Sequence, residues 1–276
     1  MTAPALAEAV RTGDPDRFAA TMAAPPALRP RLWALYALNL DIARAPWASK
    51  EPMVAEMRLQ WWIDAIGRAD GVRADGVRVD GGSAGGVRAG DVRAASDALL
   101  VLAPHLAELP DLCPLLLGAA EARRRDAWPE PFDGAADLDA YLDAAAGNLM
   151  WAAARLLGTP PTGEAVVRDF ARGAGIANWL CAVPAMVARG RHPLPDGTNG
   201  AVAALAEDGL SAIARARAAR ASLPAGAAPA LLTGWKAGAL LRIAARDPGR
   251  VAQCRLATSE ARARASLALR AVTGRW

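Results

Sequence analysis

The chain has 276 residues, 53% of them hydrophobic and 22% charged, with a formal net charge of +4. That composition can bury a sizeable core, so disorder is not the default state, and the mild Lys/Arg surplus comes with no nucleic-acid motif, so no nucleic acid is expected as a partner. Three widely spaced cysteines, Cys113, Cys181 and Cys254, form neither a zinc spacing nor a disulfide framework and fit a reducing compartment.

Alanine, leucine and arginine dominate, and runs with strand-like alternation are scarce, which favours helix over sheet. Residues 1–24 read as one or two short helices broken at Gly13-Asp14-Pro15, with Phe18 as an anchor. Pro30 suits the first turn of a helix that passes Trp33, Tyr36 and Leu40 to about Ala45, where Pro46 stops it. Ser49 reads as the cap of a helix over 51–66 that ends at Gly67. On that helix Trp61-Trp62 read as core packing, and Glu56, Gln60 and Asp64 fall on one face at spacings of four. Their simplest reading is a polar stripe.

From Arg68 to Arg93 the sequence becomes simple, with a five-residue tandem repeat (Arg68-Ala-Asp-Gly-Val, then Arg73 and Arg78 in register). Its glycines and small polar residues bury little, which predicts a flexible surface loop over 68–93. Helices are expected again over 92–107, bent or ended at Pro104, and over 112–128, with Arg123 to Arg125 near its C-terminal end. A long helix over 137–157, capped by Asp137, carries Tyr141, Ala145 and Leu149.

Between Gly173 and Ala188 there is no charged side chain. Ile176, Trp179, Leu180 and Val183 recur at helical spacing there, which predicts a helix buried on nearly all sides and interrupted at Pro184. A basic loop, Arg189-Gly190-Arg191, and Leu194-Pro195 follow. Further helices are expected over 201–219, 227–245 and 249–272. The pattern is an all-α, single-domain bundle of about eight to ten helices spanning 1–276. No secretory signal is read at the N-terminus, and no run reaches the roughly 18 to 20 apolar residues of a membrane span. The expected location is cytoplasmic, peripheral at the inner membrane at most. The scattered arginines fit a membrane surface, a diphosphate or an acidic partner.

Chemistry-bearing motifs are few. His105 and His192 stand outside any ligand pattern, and no nucleophile elbow, Walker loop or dinucleotide fingerprint is present. Asp139 and Asp143 form one carboxylate pair at helical spacing, read as a solvated face near a helix start.

Three stretches resemble the squalene/phytoene synthase family. Arg31-Leu-Trp-Ala-Leu-Tyr-Ala-Leu-Asn39 is similar to the helix that, in catalytic members, continues into Asp-Asp-x-x-Asp. Here Ala43, Arg44 and Trp47 take the three acidic positions, and Asp41 lies off the motif. Tyr141 to Gly158 is similar to the family's Tyr-x-x-x-Ala-Gly helix, with Ala146-Gly147 at its close-packed point. The third stretch is Gly173 to Pro195, where Asn178 matches the family's asparagine but Ala182, Ala185 and Met186 stand in place of acids.

In catalytic members the resemblance implies magnesium held by carboxylates on two facing helices, neutralising a departing diphosphate. Here no cofactor is expected, with Mg2+ only if the chain is an enzyme. The pattern is closer to the non-catalytic branch containing the assembly factor of respiratory complex I, which the run Ala55 to Asp64 also suits. That implies a central cavity in an isoprenoid synthase-type bundle, no catalytic residue and no metal ligand, and a complex I subunit or the membrane surface as partner. Candidate cavity-lining or ligand-binding residues are Tyr36, Asp41 and Arg44; Glu56, Gln60 and Asp64; and Tyr141, Asn148 and Asn178. The alternative is an active head-to-head transferase acting on farnesyl or geranylgeranyl diphosphate, with Asp41, Glu56 or Asp64 supplying oxygens to magnesium. A third reading is an isoprenoid lipid binder.

Overall fold

The computed structural model describes residues 3–49, 51–71 and 89–276. Among them every regular element is helical, and no strand occurs. Contacts divide the chain into two compact units: residues 1–128 with 155–157, and residues 129–154 with 158–276.

The first unit opens with α1 (Ala3–Gly13) and α2 (Pro15–Thr21). The break between them is set by Asp14, whose side chain accepts from the Arg17 N–H, and by Pro15 at the first helical position. Phe18 stacks on Trp33, with centroids 6.3 Å apart. Helix α3 (Arg29–Arg44) packs on α1 and on α5 (Ala89–Glu108), burying Leu32, Leu35, Tyr36, Leu38 and Ile42. Helix α4 (Pro52–Gly71) packs on α5 and on α6 (Leu112–Ala122). Ser49 accepts the Glu51 N–H at 3.1 Å, but it is not the cap: α4 begins at Pro52 and the Glu51 carbonyl accepts its first bonds, from Val54 and Ala55, so Glu51 stands at the cap position.

Gly67 does not end α4. The helix runs on to Gly71 because Ala69 is buried, so a further turn packs in the core. The expected loop is therefore helical at 68–71 and again from Ala89, and the remainder of that expectation lies outside the described residues. Helix α5 passes through Pro104. Helix α6 stops at Ala122, and a 3-10 turn takes over from Arg123 to Ala127, so the expected 112–128 helix is shorter.

In the second unit, α7 (Ala135–Leu142), one π turn (Asp143–Gly147) and α8 (Asn148–Leu156) form a continuous run whose last turn belongs to the first unit. Asp137 is not its cap. It sits in the first turn and accepts the Asp133 N–H at 3.1 Å. Helix α9 (Glu164–Val187) is the longest among the described residues, and it packs on α10 (Asn199–Ala218) and on the π turn. A Cβ on Gly175 would meet Ala146 Cβ at 3.0 Å, so Ala146 marks the close crossing expected there.

Pro184 lies inside α9 without ending it. Val183 and Met186 are buried on either side, and that packing outweighs the lost N–H. By length and composition the helical stretch Pro161–Val187 could cross a membrane, and 61% of its most apolar window is buried inside the chain, as in a core helix.

The two expected C-terminal helices are broken into α11 (Ala228–Leu231), α12 (Ala237–Arg246), α13 (Gly249–Ala252) and α14 (Glu260–Thr273). Gly234 presses on α9: a Cβ there would sit 2.8 Å from both Ala174 Cβ and Phe170 Cε1. The missing side chain at Gly234 lets the turn between α11 and α12 lie close against α9. Cys254 takes a left-handed conformation, φ 56°, and ends the helical run after α13.

Candidate functional site

On α3, at positions where the resemblance places acids, Ala43 and Trp47 are half-buried and Arg44 is exposed. The Arg44 guanidinium lies over the end of α1, where a Cβ on Gly13 would meet its Nη2 at 2.6 Å, and it pairs with Asp41 at 3.9 Å. Tyr36 is wholly buried, its hydroxyl meets no partner among the described residues, and Arg17 stacks 5.2 Å from its ring centre. Burial raises the phenol's ionisation above the ordinary tyrosine range; Arg17 opposes the shift and Asp14 adds to it.

The α4 stripe is committed to structure. Glu56 accepts from Trp128 Nε1 at 2.9 Å and from Arg124, whose guanidinium also bonds Gln60. Gln60 in turn donates to Asp64 at 2.7 Å, and Arg124 bonds Glu121 at 2.6 Å. Among the described residues no three His, Cys, Asp or Glu side chains come together as a metal cage.

In the second unit the positions of interest lie on α9. Asn178, Cys181 and Ala185 are exposed and Ala182 is half-buried, so spacings of three, four and seven give one open face. The expectation that α9 is buried on nearly all sides is corrected here: its other side carries the burial, through Ile176, Trp179, Leu180 and Val183. The open face offers one amide, one thiol and methyl groups. Although Cys181 as a whole is exposed, its sulfur lies 3.8 Å from the Leu256 carbonyl oxygen, and local desolvation raises the thiol above its usual range, with Lys236 opposing and Cys254 adding to the shift. Magnesium prefers carboxylate oxygens, and the side chains at these positions on α3 and α9 supply none, so the donor set does not fit that ion.

Tyr141 does not line this face. It is buried in an aromatic cluster, 4.9 Å from Trp179 and 5.6 Å from Phe132. Trp179 is a residue whose role the sequence did not reveal: its Nε1 donates to the Pro193 carbonyl at 2.8 Å and so pins the loop after α9 against the helix. That loop contributes Arg191 and His192 to a cavity of about 410 Å3, which also meets Val183 and Val187 of α9.

Asn148 accepts from Arg168 at 3.1 Å, and Arg168 also bonds Asp143 at 2.9 Å and Glu164 at 2.7 Å. One turn on, Arg172 pairs with Asp139 at 2.8 Å and Asp208 at 2.6 Å. Asp139 and Asp143 are therefore not a merely solvated face. They are the acceptors that fix the arginine-bearing half of α9 to its neighbours.

The squalene/phytoene synthase family matches residues 10–259 of the chain. No curated protein matches it. Among solved structures, the crystal structure of a dehydrosqualene synthase in complex with ligand is similar, with a TM-score of 0.71 at 14% identity, covering 97% of this chain and 94% of that one. At that identity the likeness shows the isoprenoid synthase-type fold.

Proposed function

Since the chain belongs to the squalene/phytoene synthase family, we propose that it is a non-catalytic member that assists assembly of respiratory complex I. The observation that carries the first half of this reading is the open face of α9. Where the resemblance places acids, it presents Ala182 and Ala185, with Met186 buried behind them. A departing diphosphate needs its growing charge neutralised, and no carboxylate stands there to hold the neutralising ion. The corresponding positions on α3 carry a cation, Arg44, and no acid. The assembly role is supported by the resemblance of the Ala55 to Asp64 run to the branch with that role.

A second reading is an active head-to-head prenyl transferase, favoured by the fold shared with a dehydrosqualene synthase and by Asn178. In that reading carboxylates would have to come from other positions. The sequence candidates are Asp41, Glu56 and Asp64, and each meets a protein partner: Asp41 meets Arg44, Glu56 meets Trp128 and Asp64 meets Gln60. An isoprenoid lipid binder is the third reading.

The test is a turnover assay with purified protein, magnesium, and farnesyl and geranylgeranyl diphosphates. The expected result is no joined product and no released diphosphate from folded protein, with lowered complex I in a deletion strain. Joined product that disappears on replacing Asp41, Glu56 and Asp64 by alanine would overturn the reading.

A further inference from the structure

The positive charge of this chain is concentrated at one end. The 41 residues from Lys236 to Trp276 hold nine Lys/Arg and two Asp/Glu, a net +7, whereas the whole chain carries +4. The preceding residues are therefore slightly acidic, and the arginines are less scattered than their overall count suggests.

The second unit gathers much of this charge around one groove. Between α12 and α14 lies a cavity of about 580 Å3 whose lining includes Lys236, Arg242, Arg246 and Arg262 and no carboxylate. Arg242 and Arg246 stand four residues apart on α12, a spacing at which like charges repel. Glu260 pairs with Lys236 at 3.4 Å and Arg264 at 3.6 Å. Arg242, Arg246 and Arg262 have no carboxylate within ion-pair distance among the described residues, and all three are exposed. Behind the groove Arg217 and Arg270 are each held below the ordinary guanidinium range, first by desolvation and then by neighbouring arginines, Arg242 acting on both. This is a field that an external anion would relieve.

The groove is also apolar. Trp235 and Ile243 line it, and Lys236 Nζ sits 5.0 Å from the centre of the Trp235 ring. Elsewhere on α14, Leu269 is 67% exposed and Val272 88% exposed. A nucleic acid would use the charge and leave these apolar groups in water. A phospholipid surface uses both, its headgroups meeting the arginines and its interface receiving the aliphatic side chains.

We propose that the α12–α14 groove docks this protein on a membrane surface by taking the phosphate headgroup of an anionic phospholipid. The proposal does not depend on whether the chain turns over a diphosphate, and its test contains no such substrate.

The experiment is vesicle co-sedimentation of the full chain at low and high salt, using phosphatidylcholine alone and phosphatidylcholine with phosphatidylglycerol. Binding is expected only with the anionic lipid and should fall as salt screens the arginines. Near an anionic surface each basic side chain contributes about fivefold to partitioning. Arg242→Gln/Arg246→Gln/Arg262→Gln should therefore weaken it by about a hundredfold, with circular dichroism unchanged because all three are exposed. Leu269→Ser/Val272→Ser should weaken it while leaving its salt dependence in place.

Equal binding to neutral vesicles, salt-insensitive binding, or full binding by the triple variant would each overturn the proposal. Competition separates the sources of phosphate. Millimolar inorganic phosphate that occupies the groove while anionic vesicles do not bind would identify a free-anion site and overturn the lipid reading. Tighter binding of a 20-base-pair DNA duplex than of anionic vesicles would overturn it in favour of nucleic acid.

Discussion

Glu56 separates the structural reading of the α4 stripe from the catalytic one. Its side chain is 19% exposed and that of Arg124 is 28% exposed, so their bond is mostly shielded from water. The carboxylate also takes the Trp128 indole N–H at 2.9 Å. Hydrogen bonds to charged groups contribute about 1.5–3 kcal/mol each. Arg124 keeps Glu121 at 2.6 Å after Glu56 is neutralised, which places the loss at the lower end, about 1.5–2 kcal/mol. For a unit of this size that is a fall in Tm of about 5–8 °C for Glu56→Gln. The assay is thermal unfolding followed by circular dichroism, with and without magnesium, in a double-mutant cycle with Arg124→Met. A coupling of about 1–2 kcal/mol is expected. An unchanged Tm in Glu56→Gln, together with loss of a magnesium-dependent rise seen in the wild type, would refute the reasoning and make Glu56 a metal ligand.

Three further outcomes follow from the packing. Gly173→Ala places a Cβ 2.6 Å from the Gly209 carbonyl oxygen and 2.5 Å from Ile213 Cγ1; because a backbone atom cannot yield as a side-chain end can, thermal melts should show a loss of about 1–3 kcal/mol. Gly190→Ala meets nothing within 4 Å but sits at φ +74°, so the same melts should show a loss of about 1–2 kcal/mol from backbone strain alone. His105 titrates below its usual range because of burial and then Arg31, with Glu108 opposing. The unfolded chain therefore binds the proton more readily, and stability falls as pH drops from about 6.5 towards the depressed folded-state value. Urea midpoints at pH 5 and pH 8 should differ less in His105→Gln than in the wild type.

The sequence showed most plainly what depends on local chemistry. The uncharged run from Gly173 to Ala188 identified α9, and Gly13-Asp14-Pro15 identified the first break. It was less informative wherever a distant residue decides. At the break between α11 and α12, Gly234 lies close against Phe170 and Ala174, some sixty residues earlier. The π turn at Asp143–Gly147 occurs where α9 packs close, with Ala146 facing Gly175, and nothing in Asp-Ala-Ala-Ala-Gly signals an extra residue. The pairing of Asp143 with Arg168 spans 25 residues and could not be read from either. The α12–α14 groove had a readable signal in the four-residue spacing of Arg242 and Arg246. A whole-chain charge count concealed it, because the acidic remainder offsets the basic end.

The geometry of α9 explains how a chain can keep this fold without the family's acids. What holds the helix in place lies away from its open face: Ile176, Leu180 and Val183 in the core, Trp179 tied to Pro193, and Arg168 and Arg172 tied to acids on neighbouring elements. None of these contacts uses the side chains at 182 or 185. Carboxylates one turn apart on one face repel each other unless a cation lies between them, so alanine there removes a repulsion at no cost in packing. The same independence makes the loss reversible in the laboratory. Ala185 is exposed and Ala182 half-buried, so Ala182→Asp/Ala185→Glu should cost only about 1–2 kcal/mol in all, from the lower helix propensity of the acids and the repulsion between them. A much larger loss in a thermal melt would show that this face is packed rather than open. A stable variant would allow the reinstated acids to be assayed on an intact scaffold, separating the shape of the helix from the chemistry its open face carries.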